Sequence, residues 1–212
     1  MPMNGFTYKE ELLMMHPDTE IQFVSEQVGV GVFATKLIPK GTIVWIKDDL
    51  DLMLTEEFIE SLGDLQKADI YKYAYVESDG IYVLHWDHAK YMNHSFNPNC
   101  VDTAYNFQLA AKDILPGEQI TCDYGALGLI EEFECIPEEG TTRTKVTAND
   151  YLIYYKDWDA IARETFKYFH AVEQPLKYLI ANEYVDKVNA VANGEAPMDS
   201  ILTLFIDKIE RT

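Results

Sequence analysis

Asn93-His94-Ser95-Phe96-Asn97-Pro98-Asn99-Cys100 and, further along, Pro116-Gly117-Glu118-Gln119-Ile120-Thr121-Cys122-Asp123-Tyr124-Gly125 decide how the rest of this sequence is read. The first run packs amides, an imidazole and a hydroxyl into a few positions. That composition suits a tight turn bonded by its own side chains and disfavours a regular helix or strand. The second reads as a turn at Pro116-Gly117, a short strand through Ile120 and Cys122, and a tyrosine set against a glycine that frees the backbone.

Outward from these runs, toward the N-terminus, stand Val28-Gly29-Val30-Gly31-Val32-Phe33-Ala34 and then Ile38-Pro39-Lys40-Gly41. In this order the three segments resemble the paired signature and opening strand of the SET-domain protein lysine methyltransferases, over roughly residues 20 to 130. The resemblance implies an α+β protein: a SET-type compact β fold in which the Asn-His-Ser segment and the tyrosine-bearing segment meet in a pseudoknot. It implies S-adenosylmethionine as cofactor and a protein lysine as acceptor. It also implies roles: Tyr124 as the central catalytic group, Asn93 binding the cofactor through its amide, and His94 binding it through its backbone. The backbone around Gly29, Val30 and Gly31 would approach the methionine part, where no side chain blocks it. The resemblance leaves open what closes the far side of the pocket; Phe133, or another aromatic after Gly125, is expected there.

Methyl transfer to lysine asks that an amine with a reference pKa of about 10.4 lose its proton and point its lone pair along the breaking carbon–sulfur bond. Burial beside a cationic sulfonium favours the neutral amine, so a phenol and a few carbonyls suffice to orient it. Many members of the family carry an aromatic two residues before the catalytic tyrosine; this chain has Cys122 there. Asp102 occupies a second position where some members place a ring. A roomy channel and di- or trimethylation are expected unless Tyr75, Tyr82, Tyr105 or Phe107 reaches in. The competing expectation is a SET-like module that binds a peptide without methylating it.

Metal is not expected. His85, Asp87 and His88 stand close in sequence, but their spacing fits no zinc pattern. Where many family members carry a zinc-binding cysteine after Asn-His-Ser this chain has Phe96, and no Cys-x-Cys follows Tyr124. The 3 cysteines include no Cys-x-x-Cys pair, which disfavours a disulfide framework and favours a reducing compartment.

With 212 residues, 48% of them hydrophobic and 13% aromatic, the chain can build one sizeable core or a domain with an appendage. A net charge of -19 opposes direct nucleic-acid binding and suits a basic protein substrate, histone-like or ribosomal. No apolar run spans a bilayer and no signal peptide is readable, so no membrane association is expected. The expected location is the cytoplasm, or elsewhere by a route that leaves no readable signal. Nothing in the sequence bears on oligomeric state.

The expected organisation is an N-terminal arm at 1–20, a SET-like catalytic domain at 21–130, a connection or flap at 131–148, and a helical C-terminal unit at 149–212. Strands are expected at Ile21–Val24, Gly31–Ala34, Thr42–Ile46 and Ile81–Leu84, with a hairpin about Asn106 and a strand at Gln119–Cys122. Helical spacing runs from Thr55 to Tyr71, divided near Gly63-Asp64. Tyr71, Tyr73 and Tyr75 alternate with the period of a strand. Asn149-Asp150 caps a helix to about Val172, Pro175 suits the start of a second that Gly194 stops, and Pro197 starts a third carrying Ile201, Phe205 and Ile209.

Overall fold

The computed structural model describes residues 14–77, 79–127 and 132–205. Of the N-terminal arm, Met14 and Met15 are fully buried, and both their backbone N–H groups donate to Asp87 Oδ2, at 3.1 and 3.2 Å. Leu12 and Leu13 lie outside the described residues.

Strand β1 (Thr19–Ser25) pairs antiparallel with β2 (Gly29–Ala34), Thr19 facing Ala34. The Pro39-Lys40-Gly41 turn then leads into β3 (Ile43–Ile46). Gly41 has φ +93, and a Cβ built on it would lie 2.7 Å from Tyr168 Cβ. Glycine there is demanded twice, by the turn and by the later chain pressed against it. After β4 (Leu52–Leu54), Thr55 caps α1 (Glu56–Glu60), its hydroxyl accepting from Phe58 N at 3.2 Å. The expected break falls at Ser61–Gly63, and α2 follows at Asp64–Tyr73.

The expected tyrosine strand is corrected here. Tyr71 and Tyr73 belong to the last turn of α2, and only Tyr75 enters a strand, β5 (Tyr75–Val76). Leu65, Gln66, Lys67 and Ala68 propagate the helix well, and the Tyr71 hydroxyl donates to Glu60 Oε1 at 2.8 Å, holding the two short helices together. Three tyrosines at a spacing of two therefore straddle a helix end. Strand β6 (Tyr82–Leu84) runs between β4 and β5 in a three-stranded sheet.

Next come β7 (Asn93–His94), β8 (Cys100–Asp102) and β9 (Phe107–Ala110), the last two joined through Asn106 at φ 60, a conformation asparagine tolerates. Strand β9 lies between β3 and β8. Its period of two sends Phe107 and Leu109 into one apolar cluster and Ala110 into another, while Gln108 faces a cavity. Strand β10 (Thr121–Cys122) returns beside β7, and β11 (Phe133–Glu134) pairs with β12 (Lys145–Val146). Small sheets with separate helices make this an α+β fold.

Helix α3 (Asp150–Phe166) starts where expected but ends six residues short of Val172, and Asn149 makes no side-chain capping bond. The second helix does not begin at Pro175. Residues Lys177–Leu179 make one 3-10 turn, Ile180 is extended at ψ 123, and α4 spans Asn182–Ala192. Leu176 and Ile180 are buried in the cluster that holds Ile43 and Phe107. Gln174 fixes the approach, accepting from Ile43 N at 2.8 Å and donating to Gly41 O at 2.7 Å. These long-range demands override the helix start that the proline suits. Gly194, at φ +74, ends α4 as expected. The third helix reduces to a 3-10 turn at Ile201–Leu204, capped by Ser200 and held by Ile201 N donating to Asp159 Oδ1 at 2.9 Å. Ile209 lies outside the described residues.

The C-terminal helices share a core with the sheets. Phe166 and Phe169 pack with Ile43, Ile46, Tyr105, Phe107 and Leu109, and Phe166 meets the Tyr105 and Phe107 rings at 5.9 and 6.1 Å. Phe166→Ala is expected to cost about 3–5 kcal/mol of global stability. Urea unfolding should show the whole cooperative transition moved to lower denaturant, rather than early loss of helix alone.

Candidate functional site

The two runs that open the sequence reading meet through four residues. β7 and β10 pair parallel, Asn93 beside Thr121 and His94 beside Cys122, and Ser95 N donates to Cys122 O at 3.0 Å. So short a pair needs help. Asn99 supplies it by donating from Nδ2 to Gln119 O at 2.8 Å and accepting from Thr121 N at 2.9 Å. This is the side-chain-bonded turn that the Asn-Pro-Asn composition favours.

Tyr124 follows β10 after one residue, Asp123. Its N–H donates to His94 Nδ1 at 3.1 Å and its hydroxyl to Met92 O at 2.8 Å. The ring lies 5.3 Å from His94 and 5.9 Å from Phe133. Burial, with lesser effects from Cys122, Cys135 and Tyr73, raises the phenol well above its ordinary value, so the hydroxyl keeps its proton. Burial also lowers the His94 pKa, against a weaker opposite pull from Asp123. Because Nδ1 accepts from Tyr124, the neutral ring carries its proton on Nε2, which is buried and has no partner among the described residues.

These groups border one cavity of about 940 Å³. Gly29, Val30, Asn93, His94, Tyr124 and Phe133 line it, and so do Tyr75, Phe107 and Cys122. Three expected residues do not. A Cβ on Gly31 would come within 2.6 Å of Gln119 Nε2 and 2.8 Å of Asn93 Nδ2; its missing side chain makes room for the Asn93 amide, which donates to Val30 O at 3.0 Å. Tyr82 packs edge-on against Tyr71 with ring centroids 5.5 Å apart. Tyr105 is buried beside Phe166, its hydroxyl accepting from Asp199 N at 2.9 Å.

The connection or flap of the sequence reading carries two residues that reading missed. Glu138 accepts from Ser95 Oγ at 2.6 Å and from Phe96 N at 2.7 Å. Arg143 donates to Asp123 Oδ2 at 2.5 Å and to Asp150 Oδ2 at 2.7 Å, its guanidinium 4.4 Å from the Phe96 ring and 4.2 Å from the Tyr154 ring. Sequence offered no signal for either beyond a charge in a turn-rich stretch. Among the described residues no group of three or more His, Cys, Asp or Glu is placed to hold a metal ion, and no helix is long and apolar enough to cross a membrane.

The SET domain family model matches residues 29–125, from the first glycine of β2 to the residue after Tyr124. The chain carries a SET domain. A crystal structure of a candidate histone methyltransferase from Plasmodium falciparum is similar at 22% identity and a TM-score of 0.37, over 50% of this chain and 92% of that one. At that distance the likeness carries nothing to the chemistry of this chain. No curated protein matches it. The segment bearing Glu138 and Arg143 lies beyond the matched SET domain and clasps both of its paired runs.

Asp123 and Asp150 are only 6% and 5% exposed at their side chains, so Arg143 is the cation shared by two carboxylates that water hardly reaches. Arg143→Ala is expected to cost about 3–5 kcal/mol, because both acids are left buried without a cation. Arg143→Lys should recover only part of this, since an ammonium cannot reproduce the forked contact. Chemical denaturation of the two variants checks the order.

Proposed function

We propose that this chain is an S-adenosylmethionine-dependent protein lysine methyltransferase acting on a basic protein, histone-like or ribosomal, and located in the cytoplasm. The observation that carries the reading is one cavity lined by both Tyr124, whose hydroxyl keeps its proton, and His94, whose buried Nε2 has no partner among the described residues. A buried donor without a partner costs free energy, and an acceptor on a bound molecule would remove that cost. The nitrogen-rich adenine of S-adenosylmethionine offers such acceptors, and Gly29 adds backbone that no side chain covers, so the residues present fit this cofactor. Asn93, His94, Gly29, Val30 and Phe133 would hold it.

S-adenosylmethionine, when bound, supplies an electrophilic methyl on a cationic sulfonium. Tyr124 then has one task. Its hydroxyl proton is committed to Met92 O, which leaves the oxygen lone pairs to accept from the lysine amine and fix its direction. With its pKa raised, the phenol orients and does not act as a base. Tyr75 and Phe107 give the cavity apolar wall, which favours the neutral amine over ammonium. The net charge of -19 favours a basic partner.

Calorimetry with S-adenosylmethionine, followed by transfer of labelled methyl to histones and ribosomal proteins, tests this reading. Absence of cofactor binding would leave a peptide-binding module. Tyr124→Phe keeps the ring contacts with His94 and Phe133 and removes the hydroxyl. It is expected to lower kcat about 100-fold or more while cofactor affinity stays nearly unchanged. Cys122 borders the cavity with a small side chain, while Tyr82 and Tyr105 are turned to other packing. Tyr75 and Phe107, two of the four rings that would narrow the channel, do line the cavity, so the condition set for di- or trimethylation is not met; Cys122→Tyr adds a further ring and should shift the product toward monomethylation, read by mass spectrometry of a methylated substrate.

A further inference from the structure

Asp102 ends β8 and stands in the wall between two cavities. Beside the main cavity lies a second, of about 270 Å³, bordered by Phe96, Pro98, Cys100, Lys112, Asp123 and Trp158. Among the described residues only Asp102 and Ala126 line both, and the Ala126 carbonyl is already taken by the Tyr151 hydroxyl at 2.5 Å. Asp102 Oδ1 accepts from Gln108 Nε2 at 2.8 Å, and the other end of that amide, Oε1, is buried with no partner among the described residues. This carboxyl is thus the one ionisable group placed to exchange with both spaces among the described residues.

We propose that Asp102 accepts the proton of the substrate lysine ammonium in the main cavity and passes it to solvent through the second. The proposal rests on the reading of the main cavity as the lysine site. In the step, an N–H bond of the ammonium breaks and leaves its electron pair on nitrogen, while the proton forms an O–H bond on Asp102. A neutral amine then stands beside a neutral carboxyl. Loss of that proton to water in the second cavity restores the carboxylate for the next turnover.

The surroundings suit the exchange. Ionisable and polar groups reach Asp102 from each element packed on it: Gln108 of β9, Cys100 of β8, Cys122 and Asp123 at β10, Tyr75 of β5 and Tyr151 of α3. Lys112, which borders the second cavity together with Asp102, is the cation on that side, and the charge of Asp123 is already met by Arg143. Burial, opposed by the Gln108 hydrogen bond and reinforced by Asp123, pushes the Asp102 carboxyl up to about 7. The same burial lowers a lysine amine. Two groups whose reference values lie about 6 units apart are thereby brought near enough to share a proton.

The test uses the full chain without cofactor, with n-butylamine as the probe for a lysine side chain and 1-butanol as its uncharged counterpart. The ionised fraction of Asp102 rises from about a tenth at pH 6 to about nine tenths at pH 8, so butylamine affinity should rise about tenfold over that interval. Butanol affinity should stay flat. In Asp102→Asn, which keeps an acceptor for Gln108, the ionisation near pH 7 should vanish from the butylamine profile. In aspartate carboxyl-labelled wild type, one carbon-13 resonance should titrate near pH 7 and shift with butylamine but not with butanol, a readout that needs no variant to fold. A pH-independent butylamine affinity, no detectable butylamine binding, or the same profile in Asp102→Asn overturns the proposal. Retained S-adenosylmethionine binding alongside any of these would sink Asp102 alone; lost cofactor binding would sink the methyltransferase reading itself.

Discussion

The site depends on a parallel contact between Asn93–His94 and Thr121–Cys122, two residues against two. A parallel ladder this short cannot hold itself, since each hydrogen bond contributes only about 1 kcal/mol net and fixing each residue costs about as much again. The Asn99 amide changes that balance. It stands outside the ladder, bonds Gln119 O on one side and Thr121 N on the other, and makes the register single-valued. With the register set, Tyr124 has one place to go, its N–H on the His94 ring and its hydroxyl on Met92 O. A slip by one residue would exchange the buried Cys122 for Thr121 and turn Tyr124 away from the cavity.

The segment after the SET domain secures the same contact from outside. Glu138 bonds the hydroxyl and backbone of the Asn-His-Ser run, and Arg143 bonds the acid immediately before Tyr124. Each paired run is therefore held by a charged side chain from the one segment, and that segment also brings Phe133 against the Tyr124 ring. Arg143 reaches Asp150 at the start of α3 as well, so the helices that complete the second core are fastened to the site by the same guanidinium.

Much of this was legible where the physics is local. Thr55 before Glu56-Glu57 announces a helix start, Pro39-Lys40-Gly41 a turn, and Asn106 a hairpin corner, because each conclusion needs only neighbouring residues. The meeting of the two runs came from family resemblance, and Asn99 shows the chemistry behind it. Legibility failed where distant contacts decide. The tyrosine alternation imitates a strand, yet α2 carries two of the three rings. Pro175 suits a helix start, yet burial of Leu176 and Ile180 and the bonds of Gln174 limit the chain there to a single 3-10 turn before α4. Gly31 looked like bare backbone for a ligand, whereas the space its Cβ would fill belongs to the amides of Asn93 and Gln119. Glu138 and Arg143 act across separations of 43 and 20 residues, which no local pattern records.

Asp102 shows the converse, a residue the fold would be more stable without. Its carboxyl is raised from 3.8 to about 7 mainly by burial. The native chain therefore keeps a proton that the unfolded chain has lost between those values, and stability falls as pH rises through that window. Above it the full penalty is present, on the order of a few kcal/mol. An amide or an apolar side chain would avoid that cost, and the neighbouring Gln108 amide would then have no acid to answer. A strained ionisable group is a poor choice for packing and a good one for exchanging a proton near neutrality. Its place between two cavities, rather than in any of the three apolar clusters, puts the cost where a charge has somewhere to go.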